Sequence, residues 1–128
     1  MVMALLIACG AAQASEWVPL PIVSDGRSQE FIDLSSIRVT AHIRRAWVKS
    51  TFPHGTFKDA LGKGVAEIVA SYEFNCSEGT SRRTAGNFHY EDGTDYVDTT
   101  TVQTTWRPVE PDTLGEARMK FACAWKPK

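Results

Sequence analysis

Three histidines, His42, His54 and His89, are the side chains best suited to bind a metal or move a proton near neutral pH. They lie on three separate segments, with no Cys-x2-Cys or His-x3-His spacing beside them, so a zinc site is not expected. Ser35-Ser36 stands beside Asp33, but no nucleophile elbow surrounds either serine, and the trio reads as a helical cap rather than a hydrolytic triad. No phosphate loop or dinucleotide fingerprint occurs. Glu91, Asp92, Asp95 and Asp98 gather around one turn. Calcium would need such a cluster, but the EF-hand spacing is absent and a solvated hairpin tip accounts for them. The expectation is a chain without catalytic residues, cofactor or metal.

The arginines are more informative. Arg38, Arg44, Arg45, Arg82 and Arg83 fall on strand-like segments, and neighbours in a strand point to opposite faces, so each adjacent pair puts one guanidinium on each side. Arg44, Arg82 and Arg83 are the candidates for a basic ligand-binding patch, suited to sulfated glycans or acidic protein segments. The competing reading is arginine stems lying along the sheet with their heads in water.

These groups must be positioned by a sheet built around Ile68–Cys76. Ile68, Ala70, Tyr72, Phe74 and Cys76 share one parity and polar residues hold most of the other, the signature of a half-buried antiparallel strand. Thr80–Tyr90 is its return strand, with Arg82, Thr84, Gly86, Phe88 and Tyr90 on one parity. Asp92-Gly93 supplies the next hairpin turn. Trp17–Val23 carries Pro19 and Pro21, which places it at a sheet edge, where it could pair between subunits in a homodimer. Asp25-Gly26-Arg27 reads as a turn, and Asp33 caps a single helical turn. Ile37–Phe52 gives one long strand or two, with apolar groups on both faces that suggest a central strand, covered on both sides or twisted between two layers. Asp95–Thr105 reads as a solvated strand and Trp106–Pro111 as an extended linker. A helix capped by Asp112 or Thr113 then runs to about Ala124, with Leu114, Ala117, Phe121, Ala124 and Trp125 as its apolar stripe. Cys123 falls opposite that stripe, so either the last turn unwinds or the helix is covered all round. The fold class is α+β, an antiparallel sheet with a C-terminal helix.

Composition agrees with a globular chain: 128 residues, 43% hydrophobic and 23% charged. The net charge of -1 supplies no long-range attraction for nucleic acid. No stretch approaches the roughly 18 apolar residues of a membrane span. Residues 1–14 are apolar and small, and Ala12-Gln13-Ala14 has the small-x-small form of a signal-peptidase site, leaving 15–128 as one domain. The segment lacks the usual basic residues, so the true start could lie upstream. Leu6-Ile7-Ala8-Cys9 offers a second processing route, with Cys9 lipidated. Both routes export the chain to where disulfides persist. Removing Cys9 from the count leaves Cys76 and Cys123, which are expected to pair; the alternative is two buried free thiols.

Trp17-Val18, Phe31–Ile37, Ala46–Lys49, Tyr72–Cys76, Arg82-Arg83, Trp106–Pro111 and Cys123 follow one another in an order and spacing that resembles the bacterial surface-adhesin protein E-like domain family. The resemblance spans Trp17 to Cys123 and rests on the ordered set. It implies a helix held against an antiparallel sheet by the disulfide, a place in the periplasm or on the surface of a Gram-negative bacterium, and binding of host matrix or serum proteins or another extracellular protein or glycan. It assigns no individual binding residue. The expected function is therefore a non-enzymatic envelope protein of adhesin type; the alternative is a soluble periplasmic accessory protein of an envelope assembly or secretion system.

Overall fold

The computed structural model describes residues 14–21, 28–99 and 102–127. Residues 1–13 of the expected signal, with Cys9, and the Asp25-Gly26-Arg27 turn lie outside the described residues. The described chain forms an antiparallel sheet of β1 (Trp17–Pro19), β2 (Gln29–Asp33), β3 (Arg38–Thr40), β4 (Ile43–Thr51), β5 (Val65–Asn75), β6 (Thr80–Tyr90), β7 (Asp95–Val97) and β8 (Arg107–Pro108), followed by one helix, α1 (Leu114–Ala124). The strand order is β1-β2-β4-β5-β6-β7, with β3 added to β4 and β8 to β6. This is the antiparallel sheet and C-terminal helix that the sequence predicts, and Cys76 is bonded to Cys123.

The period-two pattern of β5 sets the two faces. Opposed residues of an antiparallel pair share a face. Ala46, Val48 and Ser50 of β4 oppose Tyr72, Ala70 and Ile68 of β5, and Ile32 of β2 opposes Val48. These residues face α1, and Ile32, Ala46, Val48, Ala70, Phe74 and the helix residue Ala122 are buried together. The opposite parity, with Phe31, Trp47, Lys49 and Val69, faces away from the helix. No helix or second sheet packs on that face among the described residues, and these four side chains are only half-buried. Among the described residues, then, β4 is not covered by an element on both sides: one face lies under α1, and the other, the open face, is half-buried, with Ser71 of β5 1% exposed on it. Ile37–Phe52 resolves into β3 and β4, joined through Ala41 at φ 52°.

The 3-10 turn Leu34–Ser36 is capped as expected. Asp33 accepts hydrogen bonds from the Ser35 amide at 3.0 Å and from the Glu16 amide at 2.8 Å, which ties β1 to the turn. Thr113, not Asp112, caps α1, its hydroxyl accepting from the Glu116 amide at 3.2 Å.

Three expectations are revised. The strand expected over Asp95–Thr105 is broken: β7 ends at Val97, Asp98 is buried, and the chain then follows β6 through single bonds such as Gln103 N–H to the Arg83 carbonyl at 2.8 Å. Arg107–Pro108, expected within a linker, pairs with Ser81 and Thr80. The helix stripe is rotated in part: Phe121 and Trp125 pack against the core as expected, but Ala124 is exposed, while Ala122 is buried with Met119 and Cys123 beside it. That rotation resolves the position of Cys123, because a helix seated on Ala122 brings its neighbour to the sheet without unwinding.

The Asp92-Gly93 turn forms as expected, with Gly93 at φ 86°, a conformation that glycine adopts without a Cβ clash. Asp92 accepts from the Thr94 hydroxyl at 2.6 Å and the Thr94 amide at 2.9 Å. Those bonds, Thr94 hydroxyl first, with Lys63 nearby, lower its pKa from 3.8 to about 2. A lowered carboxylate pKa stabilises the folded hairpin above 3.8, and that contribution is lost as pH falls through about 2. An NMR titration of the Asp92 carboxyl should therefore give a midpoint of about 2 in the native protein, and a higher midpoint after Thr94→Val, which removes the hydroxyl donor and keeps the amide bond and Lys63.

Candidate ligand-binding face

The predicted arginines separate by face, as alternation requires. Arg44 opposes Phe74 and Arg83 opposes Tyr72, so both lie on the helix side. Arg44 donates to the Trp125 carbonyl at 2.7 Å, placing a cation at the C-terminal end of α1, where the helix dipole favours it. Arg83 lies over Gly86, whose hydrogen in place of a Cβ makes the room: an added Cβ there would come within 2.5 Å of the guanidinium. Arg82 opposes Glu73 on the open face. The candidate patch of Arg44, Arg82 and Arg83 is thus divided between two sides of the sheet.

A bulge decides this. Ser71 pairs with Ala85 but Tyr72 pairs with Arg83, so Thr84 is an extra residue on β6. A bulge of this kind shifts the parity of everything beyond it. Gly86 and Phe88 oppose Ala70 and Ile68 on the helix side, while Arg82, of the same sequence parity, is turned to the open face. The Thr84 hydroxyl fixes the irregularity by donating to the Ser71 carbonyl at 3.2 Å.

The bulge brings Arg82 into a row that runs across four strands. Arg38 opposes Arg45, Arg45 opposes Glu73, and Glu73 opposes Arg82. Arg82 donates to Glu73 at 3.2 Å and lies 4.6 Å from the centre of the Trp106 ring, which closes the row. Arg38 donates to the carbonyls of Ser35 at 2.9 Å and Ile37 at 3.2 Å. Arg45 is exposed, and no described residue pairs with its guanidinium. A shallow concavity of about 350 Å³ opens here, lined by Arg38, Thr40, Ile43, Arg45 and Glu73. Further along the same face, Lys49 sits 4.4 Å from the Trp17 ring and 5.2 Å from the Phe31 ring.

A second concavity of about 590 Å³ lies by the β6–β7 hairpin, among Leu61, Phe88, Tyr90 and Tyr96. Leu61 is 94% exposed at its rim. The polar groups around it are engaged with one another. Tyr90 donates to Asp59 at 2.9 Å, and Lys63 bonds Thr94 at 2.6 Å. The Lys63 amide bond lowers the pKa of Asp59, while desolvation and the Asp59 carboxylate raise that of Tyr90.

The other titratable candidates are dispersed. His89 pairs with Asp95 at 2.7 Å, and His54 with Glu91 at 3.2 Å. Glu91 also accepts from the Gly55 amide at 2.7 Å. Among the described residues no group of three or more His, Cys, Asp or Glu side chains is arranged to hold a metal. Arg38 and Arg45 stand in the arginine set read from the sequence but outside its candidate patch, and Glu73 and Trp106 are the residues that sequence reasoning missed. One signal was available for Arg45: it shares parity with Trp47 and opposes that of Ala46 and Val48.

The family model for surface-adhesin protein E matches residues 17–124. The crystal structure of protein E from non-typeable Haemophilus influenzae is similar in fold, with a TM-score of 0.55 and 16% sequence identity over 88% of this chain and 86% of that chain. No curated protein matches the chain at a significant level. No helix among the described residues is long and apolar enough to cross a membrane.

Proposed function

The chain belongs to the surface-adhesin protein E family, and from that membership we propose that it is an exported, non-enzymatic envelope protein that binds an extracellular protein or glycan through the open face of its sheet. The observation that carries the reading is the asymmetry of the two faces. One is covered by α1 across β4 and β5. The other presents tryptophans and arginines side by side, residue types enriched where proteins make contact. In the Arg38–Arg45–Glu73–Arg82 row, Arg38 directly opposite Arg45 is a like-charge pair that costs the sheet stability. Departures of that kind mark surfaces kept for a partner.

Protease treatment of intact cells tests the placement. Peptides of this chain should be released without lysis. Protection that persists until the outer membrane is opened would contradict the surface reading and favour a soluble periplasmic accessory protein of an envelope assembly or secretion system.

A further inference from the structure

We infer that the Arg38–Arg45–Glu73–Arg82 row, closed by Trp106, is a subsite for a sulfated or carboxylated sugar unit of a polyanionic polysaccharide. The inference rests on the binding-face reading above and names its ligand chemistry.

The charges are unbalanced by construction of the register. Arg38 and Arg45 stand directly opposite one another, where like charges repel. The one carboxylate of the row is taken by Arg82 at 3.2 Å. Arg38 is spread over two backbone carbonyls. Arg45 is left exposed, lining the concavity, with no partner among the described residues. An oxyanion bound between Arg38 and Arg45 would relieve their repulsion and accept paired guanidinium bonds, the geometry in which arginine binds sulfate and carboxylate best.

The position in the sheet favours recognition by side chains at the centre of the row. Ile43, Arg45 and Glu73 lie on β4 and β5, and the backbone of both is paired on each side at these positions. β3 is paired only with β4 and keeps a free edge, but Ile43, Arg45 and Glu73 can be reached only through their side chains, so recognition at the centre of the row falls to side chains. Those side chains suit a charged sugar. The arginines meet its oxyanions, Glu73 and the Thr40 hydroxyl meet its hydroxyls, and Ile43 offers an apolar floor to the C–H face of the ring. Trp106, held against Arg82, adds an aromatic surface beside the row. A volume of about 350 Å³ is at the small end of ligand sites and fits one unit of a longer chain.

The test is isothermal titration of the purified, disulfide-intact protein with a heparin-derived hexasaccharide. Its desulfated form and a polyglutamate peptide are run alongside. Saturable binding to the sulfated sugar is expected, weakened about tenfold by Arg45→Ala and again by raising NaCl from about 50 to about 300 mM. Arg107→Ala removes the same charge from an exposed residue on the helix side and should leave affinity within about twofold. Arg45 carries no partner among the described residues, so Arg45→Ala should melt like the parent, and the loss can be assigned to binding. Absence of saturable binding, equal weakening by Arg107→Ala, or equal binding of polyglutamate through Arg45 would each overturn the inference. The two readings fail separately. A protein protected inside the envelope that still binds the hexasaccharide through Arg45 loses the surface placement and keeps the subsite. A protein exposed on cells but blind to the sugar does the reverse.

Discussion

Arg118→Ala is expected to lower the unfolding free energy by about 3–5 kcal/mol, the usual cost of leaving one member of a buried ion pair alone. Arg118 reaches from α1 to Glu30 on β2 at 2.9 Å, and the two side chains are 13% and 3% exposed. The Ser50 hydroxyl lies 2.8 Å from each Glu30 oxygen, so the carboxylate is held from β4 as well. The guanidinium also stands 5.3 Å from the Tyr72 ring. Truncation leaves the Glu30 side chain beneath the helix with the Ser50 and Ser28 hydroxyls and no cation. The double variant Glu30→Leu with Arg118→Met removes both charges at similar volume, and should recover most of the loss, since apolar replacement of a buried pair is often neutral or stabilising. Urea denaturation of the two variants checks this. An Arg118→Ala protein within about 1 kcal/mol of the parent would show that the pair is solvated and does not anchor the helix.

Replacing both Cys76 and Cys123 by serine is expected to cost about 4 kcal/mol, from the loop entropy returned to the unfolded chain by opening a link between residues 47 apart. The bond ties the residue after β5 to the last turn of α1, next to the buried Ala122. Cys76 is itself anchored, its amide donating to the His42 carbonyl at 2.9 Å. Thermal melting with and without reductant measures the effect. At roughly 3–5 °C per kcal/mol for a chain of this length, the midpoint should fall by more than about 10 °C. The bond and the Arg118–Glu30 pair hold the same helix, so losing both should cost less than the sum of the two separate losses. Full additivity would mean that the helix is held independently at its two ends.

The parts of this fold that were legible are the parts governed by local pattern. Alternation along Ile68–Cys76 identified the central strand and its buried side, and Asp92-Gly93 identified a hairpin. Cysteine arithmetic paired Cys76 with Cys123. The site was half legible. Alternation separates Arg44 from Arg45 and Arg82 from Arg83, but it cannot say which of Arg82 and Arg83 shares a face with Arg45. That depends on the extra residue at Thr84, and a bulge on a threonine leaves no composition signal. The helix stripe was misplaced in part for a related reason. Apolar residues are scattered around the α1 wheel, and a charged residue, Arg118, decides the orientation by reaching Glu30. A pattern that counts only apolar positions assigns that face to solvent. The strand expected over Asp95–Thr105 was drawn from threonine content, and it breaks where Asp98 turns inward.

The measurement that tests the open face most directly is amide chemical-shift mapping of the labelled protein during titration with the sulfated hexasaccharide. Shifts should concentrate at residues 38–45, 73 and 82 and at Trp106, while the amides of α1 stay in place. Shifts centred on α1, or on the concavity of Leu61, Phe88, Tyr90 and Tyr96, would contradict the account and move the binding surface to the other side of the sheet.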